Sequence, residues 1–300
     1  MEAELMTADV GTGEHGVPFA AIGTNRVLVS DRPMDILAEP VPDDQVIEAE
    51  IDLRDDSRSA PEPHGPLDPF DTLAGKMAVV TGAHDRVGRA VALALVAAGA
   101  RVCVIGRDQD RLREIAEVAG PAASVVYLQC DLGSATDVAS AADFVTRVDQ
   151  PVDVLVHCAD VHVRHGVSKG PIEDLDEQYL VNLRGPYLLT QALVDRIRSG
   201  PGHVVFVNPV DDVSFSSNDT QYAMTRYGVK ALAAGVRMEL SGAGVRVTTV
   251  HVGGLIAEST DVPALHPDDV ADCVLGAVEM PAHLEITDLH LRPRAAQPAR

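Results

Sequence analysis

Tyr222 and Arg226 stand four residues apart in Tyr222-Ala223-Met224-Thr225-Arg226-Tyr227. On a helix that spacing puts both on one face, so a guanidinium can sit beside a phenol. A cation there favours the phenolate, and a tuned phenol can give or take a proton at a substrate oxygen. A second group is the turn Thr81-Gly82-Ala83-His84-Asp85-Arg86-Val87-Gly88. It follows the apolar run Met77–Thr81 and precedes a stretch of helical composition. A glycine-bearing turn between a strand and a helix offers free N–H groups to a phosphate. Arg107, at the end of a second apolar run, adds a cation. A third group, His157, Cys158, His162 and His165, has the right donors for a metal. Its spacing matches no standard site, so a strand end followed by a polar loop is the better reading.

These residues need a scaffold, and the pattern supplies one. Apolar, β-branched runs alternate with helical stretches: Met77–Thr81, Val102–Gly106, Ser124–Cys130, Val152–His157, His203–Val207 and Val245–Val252 as strands. The helices are Arg89–Ala98, Asp110–Ala119, Ala135–Val148, Tyr179–Ile197, Gln221–Leu240 and Pro267–Glu279. This predicts an α/β domain with a doubly wound parallel sheet of the Rossmann type, covered on both faces.

The composition sets bounds. Forty-five acidic against 24 basic residues give a net charge of −21, which repels nucleic acid and anionic membranes. The 46% apolar content excludes a disordered chain, and no run is long enough to span a bilayer. Four scattered cysteines and an acidic, non-apolar N-terminus predict a cytoplasmic protein with free thiols. Residues 1–75 hold 17 acids and four arginines, so more than half of the net charge lies there. Pro61, Pro63, Pro66 and Pro69 mark a linker. The division read from this is an acidic β-rich extension over 1–53, a Pro-rich linker over 54–72 and the nucleotide-binding body over 73–300. Strands are expected at Val17–Gly23, Arg26–Ser30 and Gln45–Leu53.

The body resembles the short-chain dehydrogenase/reductase family. The turn is similar to its TGxxxGxG fingerprint, in the TGxxxRxG form found among pteridine reductases, with Arg86 at the middle glycine. The resemblance implies that Thr81, Gly82, Arg86, Val87 and Gly88 hold a pyrophosphate. Asp131 and Leu132 would hold the adenine, and Ala159 and Gly253 would line the nicotinamide end. Arg107 stands where NAD-preferring relatives carry an acid for the ribose hydroxyls, which implies NADP rather than NAD. Tyr222 matches the family's acid/base tyrosine, Arg226 stands at its lysine position and Asn182 at its relay asparagine. Departures are equally specific. Pro209 occupies the serine position, thirteen residues before Tyr222. His157-Cys158-Ala159-Asp160 replaces Asn-Asn-Ala-Gly, and Val252 replaces a proline. Losing one preorganised donor of the serine kind typically costs about 10²–10³ in rate. Asn208, Asp211 and Ser214 are candidate substitutes.

The expectation is an NADP-dependent oxidoreductase acting on a carbonyl or alcohol of a small molecule, as a homodimer or homotetramer. The alternative is a degenerate binding or regulatory protein, or a dehydratase or cyclase reusing the pocket. The N-terminal text EHGVPFAAIG and QVIEAEIDL resembles the last strands of nitrilase-type hydrolases, without their Glu, Lys and Cys triad.

Overall fold

The computed structural model describes residues 9–12, 18–22, 25–28, 72–120, 123–209, 219–253 and 265–293. The expected strand Gln45–Leu53, the linker apart from Thr72, Asp211, Ser214 and nearly all of the loop between Gly253 and Leu265 lie outside these stretches.

In chain order the strands are β1 (Asp9–Thr12), β2 (Pro18–Ile22), β3 (Asn25–Leu28), β4 (Met77–Thr81), β5 (Arg101–Gly106), β6 (Val125–Gln129), β7 (Val154–His157), β8 (His203–Asn208), β9 (Arg246–Val252) and β10 (Asp288–Leu291). The last seven form a parallel sheet in the order β6-β5-β4-β7-β8-β9-β10. The order reverses between β4 and β7, and the C-terminal ends of those two strands open the crevice where ligands sit in such sheets. The short β1, β2 and β3 extend the sheet antiparallel beyond β6, with Val27 opposite Leu128 and Leu28 opposite Tyr127.

The helices are α1 (Arg86–Ala97), α2 (Gln109–Ala119), α3 (Ala135–Arg147), α4 (Ile172–Tyr179), α5 (Gly185–Arg198), α6 (Thr220–Leu240) and α7 (Pro267–Val278). Strand alternation sends side chains to two cores. Met77 and Val79 join Ile105, Phe206, Leu189, Leu193 and Val229 on the α3–α5–α6 side. Ala78 and Val80 join Val104, Leu95, Ile115, Val250 and Val274 on the α1–α2–α7 side. Each fully buried Val or Leu contributes about 1.5–3 kcal/mol of transfer free energy.

One difference from the sequence reading bears on the site. The helix expected over Tyr179–Ile197 begins instead at Ile172, behind Pro171 and with Glu173 and Asp174 in its first turn. Proline before a helix and acids in its first turn are ordinary start signals. The chain then passes through a π-helical turn, Leu180–Arg184, before α5. A π turn inserts an extra residue and shifts the helix face, and such turns frequently occur at functional sites.

Candidate active site

The glycine turn is built by close approach. Gly82 has φ +66°, and a Cβ there would lie 2.6 Å from the Ala159 backbone. A Cβ at Gly88 would lie 2.3 Å from the Gly82 carbonyl oxygen. Both positions therefore demand glycine. Thr81 is buried, and its Oγ1 accepts a hydrogen bond from the Cys158 N–H at 3.3 Å. The turn and the end of β7 are thus locked together. Asp85 is the N-cap of α1, yet its side chain makes no capping bond. Arg86 opens the helix, exposed, and Val87 is half-buried. A helix start with no side-chain cap keeps its N–H groups and dipole available to an anion.

Arg107 follows β5 and is about half exposed. It lines two adjoining cavities of about 570 and 430 Å³. The first is bordered by His84, Asp108 and Gln129, the second by Asp131, Gly133 and Leu180. Glu177 Oε1 lies 3.7 Å from the guanidinium. The acids beside Arg107 are already engaged: Asp108 caps α2 and pairs with Arg111, while Asp110 pairs with Arg113 at 2.8 Å. Asp131 Oδ1 accepts from Gly133 N at 2.9 Å, and Leu132 is buried. Gly253 is held by its N–H donating to the Leu291 carbonyl at 2.9 Å.

The structure brings Tyr222, Arg226 and Asn182 into one neighbourhood. Tyr222 and Arg226 are buried on α6, and the Arg226 Cζ lies 5.1 Å from the Tyr222 ring centroid. The guanidinium is therefore near the π face, not only beside the hydroxyl. Burial pulls Arg226 down to about 9, still above neutrality, so it is a cation at pH 7. Burial, reinforced by Asp219, pushes the Tyr222 phenol well above its usual range.

Asn182 lies in the π-helical turn. Its Oδ1 accepts from Val161 N at 2.7 Å, and its Nδ2 donates to the Val161 carbonyl at 2.8 Å and to Thr225 Oγ1 at 3.2 Å. It thereby clamps the chain just after β7 and ties it to α6.

The residue that sequence reasoning did not assign is Asp160. Its Oδ2 accepts the Tyr222 hydroxyl hydrogen bond at 2.9 Å, and its Oδ1 meets Arg226 Nη2. The signal was its place: a charged residue just past a strand's C-terminal end, at the switch in strand order. At the family's serine position, Pro209 presents only its carbonyl to the Tyr222 hydroxyl, at 3.5 Å. Asn208 is fully buried, with Nδ2 donating to the Arg226 carbonyl at 3.4 Å. Asn208 Oδ1 and Arg226 Nε are buried without a partner among the described residues. Such atoms are candidates for a bound water or ligand.

The His/Cys group disperses. His157 bonds Thr190 at 2.9 Å and stacks on Phe206, and burial lowers it to about 3. Burial pushes the Cys158 thiol up. His162 stacks on Tyr222 at 3.9 Å and bonds Asp219 at 3.1 Å, whereas His165 pairs with Asp174 at 2.8 Å. Among the described residues no three His, Cys, Asp or Glu side chains gather to hold a metal.

Comparison with known proteins places this geometry. Residues 76–263 match the short chain dehydrogenase family model. An uncharacterized oxidoreductase of Staphylococcus saprophyticus is 26% identical over 231 residues, covering 74% of this chain and 98% of the relative. A similar protein of Staphylococcus aureus is 27% identical over 228 residues, covering 74% and 98%. Among solved structures, a metagenomic short-chain oxidoreductase in complex with NADP is 28% identical with a TM-score of 0.66, covering 75% of this chain and all of that one. An alcohol dehydrogenase from the archaeon Thermococcus sibiricus, complexed with 5-hydroxy-NADP, shares the fold at 24% identity and a TM-score of 0.69, covering 75% and 99%. A fingerprint turn at the strand-order switch, a tyrosine with a cation one helical turn on, and a family match across most of the body agree: the chain belongs to the short-chain dehydrogenase family of oxidoreductases.

Proposed function

We propose that this protein is an NADP-dependent oxidoreductase that interconverts a carbonyl and an alcohol on a small molecule. The observation that carries the reading is the α1 start: no side chain caps it, and it faces a turn where two glycines are sterically required. The donor set fits a dinucleotide. Thr81, Gly82, Arg86, Val87 and Gly88 surround the pyrophosphate position, and Asp131 and Leu132 border the adenine position. Arg107, exposed beside a 570 Å³ cavity, supports a 2′-phosphate and hence NADP over NAD. Ala159 and Gly253 stand at the nicotinamide end, and Arg226 Nε and Asn208 Oδ1 are buried without a partner among the described residues.

The bound cofactor would supply or accept the hydride. Tyr222 would give its hydroxyl proton to the substrate oxygen, or take one back. Arg226 would hold positive charge against the tyrosinate, and Asn182 would fix the chain after β7. The acidic extension, the linker and the body would act as three parts. The body's assembly would be a homodimer or homotetramer, and its setting the cytoplasm. Among the described residues no helix is long and apolar enough to cross a membrane.

A second reading has a specific observation behind it. The Arg226 fork is turned to Asp160, and Pro209 offers no donor. A binding protein, or a non-redox enzyme on the same pocket, would tolerate both. Calorimetric titration separates the readings. Tight NADPH binding that weakens about 10–100-fold in Arg107→Ala, with NADH little changed, is the expected result; charge-assisted hydrogen bonds of about 1.5–3 kcal/mol set that range. Binding of neither nucleotide would sink the oxidoreductase reading.

A further inference from the structure

Tyr222, Asp160 and Arg226 form one hydrogen-bonded unit assembled from the end of β7 and one turn of α6. Tyr222 and Arg226 are 4% and 2% exposed, whereas the Asp160 side chain is 29% exposed. The carboxylate is thus the point at which this unit reaches water. Asn182 is committed elsewhere, since its amide hydrogens go to the Val161 carbonyl and to Thr225 and its oxygen accepts Val161 N–H. Resting on the reading of Tyr222 as acid/base, we propose that Asp160 is the proton-relay residue of this site, the carboxylate through which Tyr222 exchanges its proton with solvent.

The step balances as follows for reduction. The Tyr222 O–H bond breaks as the substrate oxygen takes its proton. A proton from solvent then adds to the Asp160 carboxylate and passes from it to the tyrosinate oxygen, which restores the Tyr222 O–H bond and leaves Asp160 a carboxylate again. The electron pair reaches the substrate carbon as the hydride, so the relay moves one proton and no electrons. In oxidation every transfer reverses. Arg226 holds Asp160 ionised between transfers. The charged and titratable described groups facing Tyr222 are Arg226 on its own helix, Asp219 at the start of that helix, and Asp160 and His162 after β7. Arg164 acts on it through Asp219, at 3.2 Å. With its phenol raised by burial, Tyr222 does not ionise readily into water, and a fixed acceptor at 2.9 Å provides the route.

The test has one arm without cofactor. Absorbance at 295 nm follows ionisation of the five tyrosines in the full chain. It is run on the native protein, Asp160→Asn and Asp160→Gly, each with and without Tyr222→Phe. Removing the carboxylate turns the Arg226 charge onto the phenol. One tyrosine, absent from the Tyr222→Phe doubles, should then titrate at least about one pH unit lower. In the second arm, NADPH-dependent reduction of 2,3-butanedione should fall about 10²–10⁴-fold in kcat for Asp160→Gly, with the KM for NADPH unchanged. Added formate should restore at least about tenfold of that loss. An unchanged tyrosine titration in both Asp160 variants overturns the proposal, as does a kcat loss that formate leaves untouched. If the native protein neither binds NADPH nor reduces the dicarbonyl, the oxidoreductase reading fails, while the tyrosine titration still decides the proton coupling by itself.

Discussion

Arg226 keeps a full charge inside the protein because a carboxylate shares its site. Arg226→Met strands Asp160 without its cation. Breaking a buried pair costs about 3–5 kcal/mol, and the partial exposure of Asp160 lowers the expected loss to about 2–3 kcal/mol. Urea unfolding at pH 7 measures it, and Asp160→Asn combined with Arg226→Met should recover part of the loss. Tyr222→Phe removes one hydroxyl from an otherwise unchanged ring. It should leave the urea midpoint within about 0.5 M while dicarbonyl turnover falls at least about 10²-fold. At this scale the sequence shows the helix pair and not its partner. Tyr222 and Arg226 are one turn apart, a local spacing that can be read directly. Asp160 meets Arg226 across 66 positions, and in the sequence it appears only as a departure from a glycine.

The turn after β4 and the buried histidines of β7 and β8 set behaviour at the scale of elements. Gly82→Ala places a methyl against the Ala159 backbone at a positive φ, so it should cost about 1–3 kcal/mol and weaken nucleotide binding together. Thermal unfolding and NADPH titration of one sample report both. His157 and His203 sit neutral on adjacent central strands, each lowered by burial to about 3. Their unfolded counterparts protonate near pH 6.5. The stability held by the neutral rings is therefore complete above that value and is lost as pH falls from about 6.5 toward 3. Each histidine contributes a slope of about 1.4 kcal/mol per pH unit over that window. Unfolding free energy measured from pH 7 to 4 should fall steeply, and His157→Gln should flatten the curve by one proton. Fold class was legible here because apolar runs of strand length alternate with helical stretches. The start of α4 escaped because Ile172–Tyr179 is short and polar, with Gln178 its one buried residue. The π turn escaped because one extra residue leaves no trace in a 3.6-residue period.

Over the whole molecule, charge and architecture separate along the chain. Seventeen of the 45 acids precede residue 76, and the glycine turn after β4, Arg107 and the Tyr222 group all follow it. A variant lacking residues 1–71 should therefore bind NADPH within about twofold of the full chain. It should also self-associate more at micromolar concentration, because the edge of β6 is then uncovered. Calorimetry and size-exclusion chromatography test the two halves of that expectation. The acidity was readable from composition alone, whereas the pairing of β3 with β6 was not, since strand partners distant in sequence leave no local pattern. That pairing also orders events in time. A chain made from its N-terminus exposes Val27 long before Leu128 exists, about a hundred residues later. During synthesis β3 must wait for its partner, and the hairpin can close the sheet only after β4, β5 and β6 have emerged. A nascent chain stalled before residue 128 would carry β3 paired with β2 alone, its other edge still without β6.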